Sequence, residues 1–347
     1  MSEGVPTALP PLSTALRPFH IGKVRLANNL ILAPMAGVTD RPFRGLCRRL
    51  GAGLAVSEMV AADPRLWGSR KSQRRLDHRG ETVPISAQIL GNEPEALAQA
   101  ARIHVDQGAD IIDINMGCPA RKVCRREAGS ALLRDERLVG RILRTVVAAV
   151  PTIPVTLKIR TGWSPDQRNA LAIARIAWES GIAALTVHGR TRACGFSAQA
   201  EYETIRAIRG ILPIPLVANG DIDTPEKAGF VLDYTGADAI MIGRGALGRP
   251  WIFQEVSHYL LRGSRRPSPK REWVRDLIIT HLHDLDDFYG GQASVGIARK
   301  HVGWYLSGLT GSRPFRARFN QAVTLEEQQN LILSFFDEDP MRGEDTA

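Results

Sequence analysis

Short apolar, β-branched runs recur along the chain at 30–34 (LILAP), 54–58 (LAVSE), 84–89 (PISAQI), 110–115 (DIIDIN), 154–159 (PVTLKI), 184–188 (ALTVH), 215–219 (PLVAN) and 239–243 (AIMIG). Most are apolar at successive positions. Both faces of each strand are therefore expected to be buried, as in a parallel sheet covered by helices. Amphipathic stretches of helical length lie between the runs. Residues 94–107 space Leu97, Ala101 and Val105 four apart, and Pro94 suits a first helical turn. Residues 135–150, 165–180 and 224–232 read the same way, with Thr224 and Pro225 as an N-cap and N1 pair. Gly108 and Gly181 fit helix ends.

Strand and helix alternating eight times predict a (β/α)8 TIM barrel over 19–253, near the roughly 250 residues usual for that fold. A doubly wound open sheet is the competing arrangement. Beyond 253 the strand-like runs stop. Helical patterns cover 272–289, 295–306 and 325–336, after a basic linker at 262–271 (RGSRRPSPKR). The expected organisation is an extension at 1–18, the α/β barrel, a small C-terminal helical domain at 254–336, and a frayed acidic tail at 337–347.

Composition narrows the class. The chain has 347 residues, 44% hydrophobic and 23% charged, which excludes disorder, collagen and a simple coiled coil. The formal net charge of +9 favours a polyanionic partner, nucleic acid ahead of an anionic membrane. The four cysteines, Cys47, Cys118, Cys124 and Cys194, include no Cys-x-x-Cys pair, so neither a disulfide scaffold nor a structural metal site is expected. The first twenty residues place prolines where a secretory signal needs an apolar run, and no run reaches the roughly 18 residues of a membrane span. A cytoplasmic protein without a membrane partner is expected.

In a barrel of this kind chemistry sits at the C-terminal strand ends. There the sequence places Pro34-Met35-Ala36-Gly37, Gln88, Asn115-Met116-Gly117-Cys118-Pro119, Lys158-Ile159-Arg160, His188-Gly189-Arg190, Asn219-Gly220-Asp221 and Gly243-Arg244. Each has a plainer reading. Gln88 and His188 are also what a satisfied buried polar group looks like, Cys118 a small hydrophobe, and Arg160 and Arg190 solvated loop residues. Lys158 resists dismissal, because a lysine inside an apolar run must reach a charge or water. The loops after strands seven and eight often bind phosphate in this fold; glycine admits backbone N–H groups to an anion, and Arg244 adds a charge-assisted bond. A phosphate there, with Lys158 and His188 in the mouth, suits flavin mononucleotide (FMN) lying across the strand ends. Basic residues also frame that mouth: Arg65, Arg70, Lys71, Arg74, Arg75 and Arg79 on one loop, and Arg121, Lys122, Arg125 and Arg126 on another. Such runs are usually solvated surface. Two around one mouth, with Arg299, Lys300, Arg313, Arg316 and Arg318 in the helical domain, suit a phosphodiester backbone.

Together, the segment APMAGVTDRPFR at 33–44, DINMGCP at 113–119, LKIR at 157–160, VHGRT at 187–191 and ANGDI at 218–222 resemble the tRNA-dihydrouridine synthases, most of all their bacterial DusB branch. The likeness runs from about residue 19 to the C-terminus. It implies an FMN-dependent enzyme that reduces the C5–C6 double bond of uridine in tRNA with NADPH, or NADH, as reductant. Carried over by motif, Pro34, Met35 and Ala36 line the flavin, and Gln88 bonds its ring. Lys158 and His188 also touch it. Asn219, Gly220, Asp221, Gly243 and Arg244 follow its ribityl phosphate. Cys118 is the proton donor to C5, and Asn115 and Arg160 hold the uracil. Hydride passes from flavin N5 to C6. No protein partner is implied. Every cofactor residue precedes 262, so a barrel cut there is expected to keep its flavin. Two other readings are a flavin reductase of a small pyrimidine or enone, and a nucleic-acid-binding regulator with an inert barrel. The barrel motifs specify neither the target uridine nor the oligomeric state.

Overall fold

The computed structural model describes residues 16–337; the rest of the expected extension and acidic tail lies outside the described residues. A hairpin of β1 (Phe19–Ile21) and β2 (Val24–Leu26) comes first. All other strands are parallel. They are β3 (Leu30–Leu32), β4 (Leu54–Ala55), β5 (Val60–Ala61), β6 (Ser86–Leu90), β7 (Ile111–Met116), β8 (Val155–Arg160), β9 (Ala184–His188), β10 (Leu216–Asn219) and β11 (Ala239–Ile242). Their order is β4-β3-β11-β10-β9-β8-β7-β6-β5. A parallel bridge between Val56 and Ser86 joins the end of β4 to β6 and closes the sheet. Sequence neighbours are spatial neighbours all the way round, which is the (β/α)8 barrel; an open doubly wound sheet would reverse its order partway. The second predicted strand divides into β4 and β5.

Helices return the chain outside the barrel: α1 (Arg41–Arg49), α2 (Arg70–Leu76), α3 (Pro94–Asp106), α4 (Arg121–Cys124), α5 (Glu136–Ala149), α6 (Ala170–Glu179), α7 (Glu203–Arg209), α8 (Pro225–Thr235) and α9 (Ile252–Arg262). Helix α8 starts as expected, with the Thr224 hydroxyl accepting from Lys227 N, and ends at Gly236 in a left-handed conformation (φ 65°). Helix α6 begins five residues later than expected, because a turn with a Ser164–Gln167 bridge takes up the segment after Trp163.

Alternation along the strands sorts side chains into two layers. Leu30, Leu32, Leu157, Leu185 and Ile240 pack outward against the helices. Ile31, Ile111, Ala184, Val217, Ala239 and Met241 pack with Phe19, Ile21 and Leu26 of the hairpin, which seals one end of the barrel. Nearer the C-terminal strand ends the inward positions turn polar: Gln88, Asp113, Asn115, Thr156, Lys158, Thr186, His188 and Asn219. The fold thus leaves one polar mouth over an apolar floor.

Helix α9 buries Phe253, Val256 and Leu260 in the barrel's own core, so we place the domain boundary in the linker after it rather than at 253. Four helices follow, α10 (Arg271–Tyr289), α11 (Gly291–Tyr305), α12 (Ser312–Phe319) and α13 (Leu325–Asp337). They share a separate core of Ile278, Leu282, Leu285, Val302, Phe315, Phe319 and Ile332.

Candidate active site

A cavity of about 950 Å³ opens at the C-terminal strand ends. Pro34, Met35, Ala36, Gln88, Asn115, Cys118, Lys158, Arg160, His188, Asn219, Gly220, Asp221, Gly243 and Arg244 all line it. Every site residue singled out in the sequence is therefore brought to one space, although the segments that carry them span more than two hundred positions.

The turn at 34–38 is pinned from several sides. The Thr39 hydroxyl donates to Ala33 O and accepts from Met35 N, each at 2.9 Å. The Gly37 N–H donates to Glu58 Oε1 at 2.5 Å, and Arg75 holds the same carboxylate oxygen at 2.9 Å. Lys300 of α11 donates to Gly37 O.

A hydrogen-bonded chain crosses the barrel beneath the cavity. Thr156 donates to Asp113 Oδ1 (2.6 Å), Gln88 Nε2 to Asp113 Oδ2 (2.7 Å), and Asn115 Nδ2 to Gln88 Oε1 (2.8 Å). Asn115 Oδ1 then accepts from Gly117 N (3.1 Å) and Cys118 N (2.9 Å). Both ends of the Asn115 amide are thus engaged within the protein, and the residue shapes the Cys118 loop. Ser130 fixes the other side of that loop by donating to Cys118 O at 2.6 Å. Burial pushes the Cys118 thiol up, outweighing the Ala120 N–H that favours thiolate. At neutral pH the group is a thiol with its proton in place.

Lys158 donates to Asn219 Oδ1 at 2.9 Å, and Asn219 Nδ2 donates to Met241 O at 2.7 Å. Burial, with Arg160 nearby, brings the Lys158 ammonium down to about 8. His188 is pushed far below its ordinary value, first by burial and then by Lys158, Arg160, Arg190 and Arg244, so it stays neutral. Arg190 donates to its Nε2 at 3.3 Å, which leaves the proton on Nδ1.

The partners of two further residues bear on their roles. Arg160 is not a solvated loop residue. It is 2% exposed, and its guanidinium ties Gly117 O, Thr191 O and Gly195 O, each at 2.9 Å. The Asp221 carboxylate accepts from Arg190 (2.6 Å), Ala200 N (2.8 Å) and Arg244 (3.0 Å), and so holds two guanidiniums at the cavity. Asp221 does this from a left-handed backbone (φ 47°), unusual for a residue with a side chain.

Gly220 lies beside it at φ 124°, where a Cβ would meet Ala200 Cβ at 2.8 Å and His188 at 3.1 Å. Glycine is needed there both for the backbone and for the space. Arg190, which the sequence places at a strand end and which also reads there as a solvated loop residue, is buried and held by Asp221 and Ala198 O. Phe196 is a site residue that the sequence did not single out: it is 55% exposed on the cavity rim, with the Arg160 and Arg244 guanidinium carbons 5.2 and 5.1 Å from its ring. An aromatic side chain inside the polar loop TRACGFSAQ was the signal for it.

The basic frame is less uniform than its sequence. Arg65 pairs with Asp63 and Arg79 with Asp77, each at 2.9 Å, and Arg74 donates to Tyr289 O. Arg75 and Lys300 serve the 34–38 turn. By contrast Arg121, Lys122, Arg125 and Arg126, on and after α4, are exposed and form no ion pair among the described residues.

The family model described as "Dihydrouridine synthase (Dus)" matches residues 31–339. A protein of Xanthomonas axonopodis pv. citri named tRNA-dihydrouridine synthase B is 60% identical over 318 residues, covering 92% of this chain and 96% of its own. One of Pseudomonas aeruginosa with the same name is 57% identical over 328 residues, covering 94% and 98%. Among solved structures, histamine dehydrogenase from Rhizobium sp. 4-9 superimposes with a TM-score of 0.57 at 12% identity, over 95% of this chain and 65% of that one. An old yellow enzyme homologue from Zymomonas mobilis gives 0.51 at 18% identity, over 76% and 96%. At those identities the likeness is one of barrel fold.

Proposed function

Because this chain belongs to the dihydrouridine synthase family, we propose that its barrel cavity binds FMN and receives an unpaired uridine of tRNA, whose C5–C6 double bond is reduced at the expense of NADPH. The observation that carries the reading is convergence. Cys118, Lys158, the 34–36 turn and the 219–221 and 243–244 loops come from separate strands and line one cavity.

The cavity suits FMN. Gly220 has no room for a Cβ, Gly243 lines the cavity with bare backbone, and Arg190 and Arg244 hold positive charge at the same loops. The Gln88 amide, fixed by Asp113 and Asn115, offers polar edges to a ring system. Lys158 supplies a cation whose position Asn219 fixes. The neutral His188 adds a donor without a second positive charge. Bound there, reduced flavin supplies a hydride to uracil C6.

The protein's own part is then proton delivery and positioning. Negative charge developing toward C5 and O4 calls for a proton, and the Cys118 thiol, still protonated at neutral pH, gives one to C5. Asn115 holds both N–H groups that orient the Cys118 loop, and Arg160 holds Gly117 O on its other side. We therefore assign Asn115 and Arg160 to positioning first. Phe196 on the rim is a flat apolar surface for the incoming base. A paired uridine does not reach a barrel mouth, so the base must leave its stack. The unpaired cations of 121–126, next to the Cys118 loop, would hold the backbone on either side.

The test is a purified protein that is yellow, with a flavin spectrum, and that forms dihydrouridine in tRNA when NADPH is added. A colourless protein contradicts the flavin assignment. Turnover of a free pyrimidine or enone with none on tRNA contradicts the substrate.

A further inference from the structure

The linker 262–271 has no part in the chemistry above, yet it forms one wall of a second cavity of about 380 Å³. The opposite wall is the start of α9 and of α10: Trp251, Gln254, Glu255 and Trp273. The two indoles meet edge to face, with centroids 5.7 Å apart at 80°. Trp251 is backed by Tyr305 in a stacked arrangement at 6.4 Å, which fixes it, while Trp273 is 38% exposed.

The charge around this cavity is one-sided. The linker carries four arginines and one lysine and no acidic residue. Arg265 is paired with Glu226, and Arg271 donates to the carbonyls of Phe335 and Phe336. Glu255, on the floor, is neutralised by Arg249 at 2.5 Å. That leaves Arg266, which donates only to the neutral Gln254 amide oxygen, and the exposed Lys270 and Arg262, which form no ion pair among the described residues. Exposed indole beside uncompensated cations is the chemistry that takes an unpaired nucleotide: the ring stacks a base and the cations hold its phosphate. The volume lies in the range of small-ligand sites. The place fits as well. Leu247 lines the large cavity and Trp251 the small one, so at most about 14 Å of chain separates them.

We propose that this cavity is a second RNA subsite, in which one unpaired nucleotide of the tRNA stacks on Trp273 with its phosphate on Arg266 and Lys270. The proposal rests on the tRNA activity proposed above. Proline-rich peptides also use aromatic grooves; the unbalanced positive charge favours the nucleotide.

Two measurements on the full-length, flavin-loaded protein test this. The first is anisotropy of a labelled oligouridylate. Trp273→Ala should weaken binding about 5- to 150-fold, the range for loss of one base stack, and Trp273→Phe should restore most of it. Lys270→Gln, at an exposed position that carries no packing, should lower the log–log salt slope by about 0.7. The second is steady-state dihydrouridine formation, in which Trp273→Ala should raise KM for tRNA while kcat at saturating tRNA and the flavin spectrum stay as in wild type. Unchanged oligouridylate binding in both variants overturns the proposal, as does competition by oligoproline in place of oligouridylate. Should the wild type fail to reduce tRNA at all, the activity reading fails, and the oligouridylate measurement still decides the subsite.

Discussion

The Tyr289 hydroxyl at the end of α10 donates to the Asp40 carboxylate across 2.9 Å, and so ties the helical region to the N-cap of α1. Asp40 also accepts from Phe43 N at 3.0 Å. Phe43 in turn packs against His281 and His301, with ring centroids 5.9 and 5.5 Å away. Lys300 reaches past this joint to Gly37 O. The helices therefore grip the turn that carries Pro34, Met35 and Ala36. The expectation that a barrel cut at 262 keeps its flavin overlooks this grip, since the cut removes Lys300 and Tyr289 and bares Phe43.

Burial raises the Asp40 carboxyl to about 6, while Tyr289 and Lys300 pull it down and Glu58 pushes it up. Its folded value lies above the unfolded 3.8, so the charged form costs stability at neutral pH, and that cost fades as pH falls through 6. Tyr289→Phe should destabilise the protein by about 1–3 kcal/mol at pH 7.5 and by clearly less at pH 5, where Asp40 is largely protonated. Urea unfolding at the two pH values checks this. Equal losses would remove Asp40 from the explanation.

Lys300→Met should loosen the 34–38 turn and weaken flavin binding by about two- to tenfold, the cost of one hydrogen bond from a charged donor at a partly exposed site. Lys300→Arg should recover part of it. Flavin fluorescence titration gives both constants. A Met variant with wild-type affinity would show that the helical region holds the turn without helping the cofactor.

The barrel was legible because its eight strands are the strongest apolar runs in the chain. The helices that escaped notice are of another kind. Helix α1 sets four arginines among its nine residues, and its inward Phe43, Leu46 and Cys47 are few. Helix α7 has only seven residues. The residues of the site were legible as strand ends, but their partners were not. Arg160 looks like a solvated arginine until three carbonyls from distant loops enclose it. Within PVTLKIR the inward Thr156, Lys158 and Arg160 alternate with outward Val155, Leu157 and Ile159, a period visible in sequence once the barrel is assumed. The basic frame misled in the opposite direction, since Arg75 meets Glu58 and Lys300 meets Gly37 only through the fold.

Four histidines with lowered values set the acid limit: His188 at the cavity, and His104, His281 and His301 in the interior. Burial lowers His104 to about 4 and His281 to about 3, with His78 adding to the first and Arg49 and Lys300 to the second. His301 is also held well below its ordinary value, by burial and by His281 and Lys300. Above pH 6.5 these groups are neutral folded or unfolded. Below it the unfolded chain binds protons that the native imidazoles refuse, so stability falls as pH drops from 6.5 toward 4. Asp40 and Asp113, both raised by burial, work the other way but are fewer. Both His104 ring nitrogens lack partners among the described residues, so His104→Leu should cost little at pH 7.5 and should flatten the acid limb of a Tm-against-pH curve. A limb of unchanged slope would contradict this.

The unpaired cations near α4 predict a salt effect. Replacing Arg125 and Arg126 with Ala should lower the log–log salt slope of tRNA binding by about 1.4–1.8 and leave flavin binding intact. Arg65→Ala, whose guanidinium is held by Asp63, should change the slope little. Filter-binding titrations across salt concentrations distinguish the two. Equal effects would mean that ion pairing does not govern which cations reach RNA.

The most direct measurement separates the two half-reactions in Cys118→Ala. NADPH should bleach the variant's flavin at the wild-type rate, because the thiol takes no part in that step. The reduced protein, mixed with tRNA without oxygen, should then form dihydrouridine slower by about 100-fold or more, the usual worth of a positioned proton donor. Wild-type dihydrouridine formation by Cys118→Ala would contradict the account.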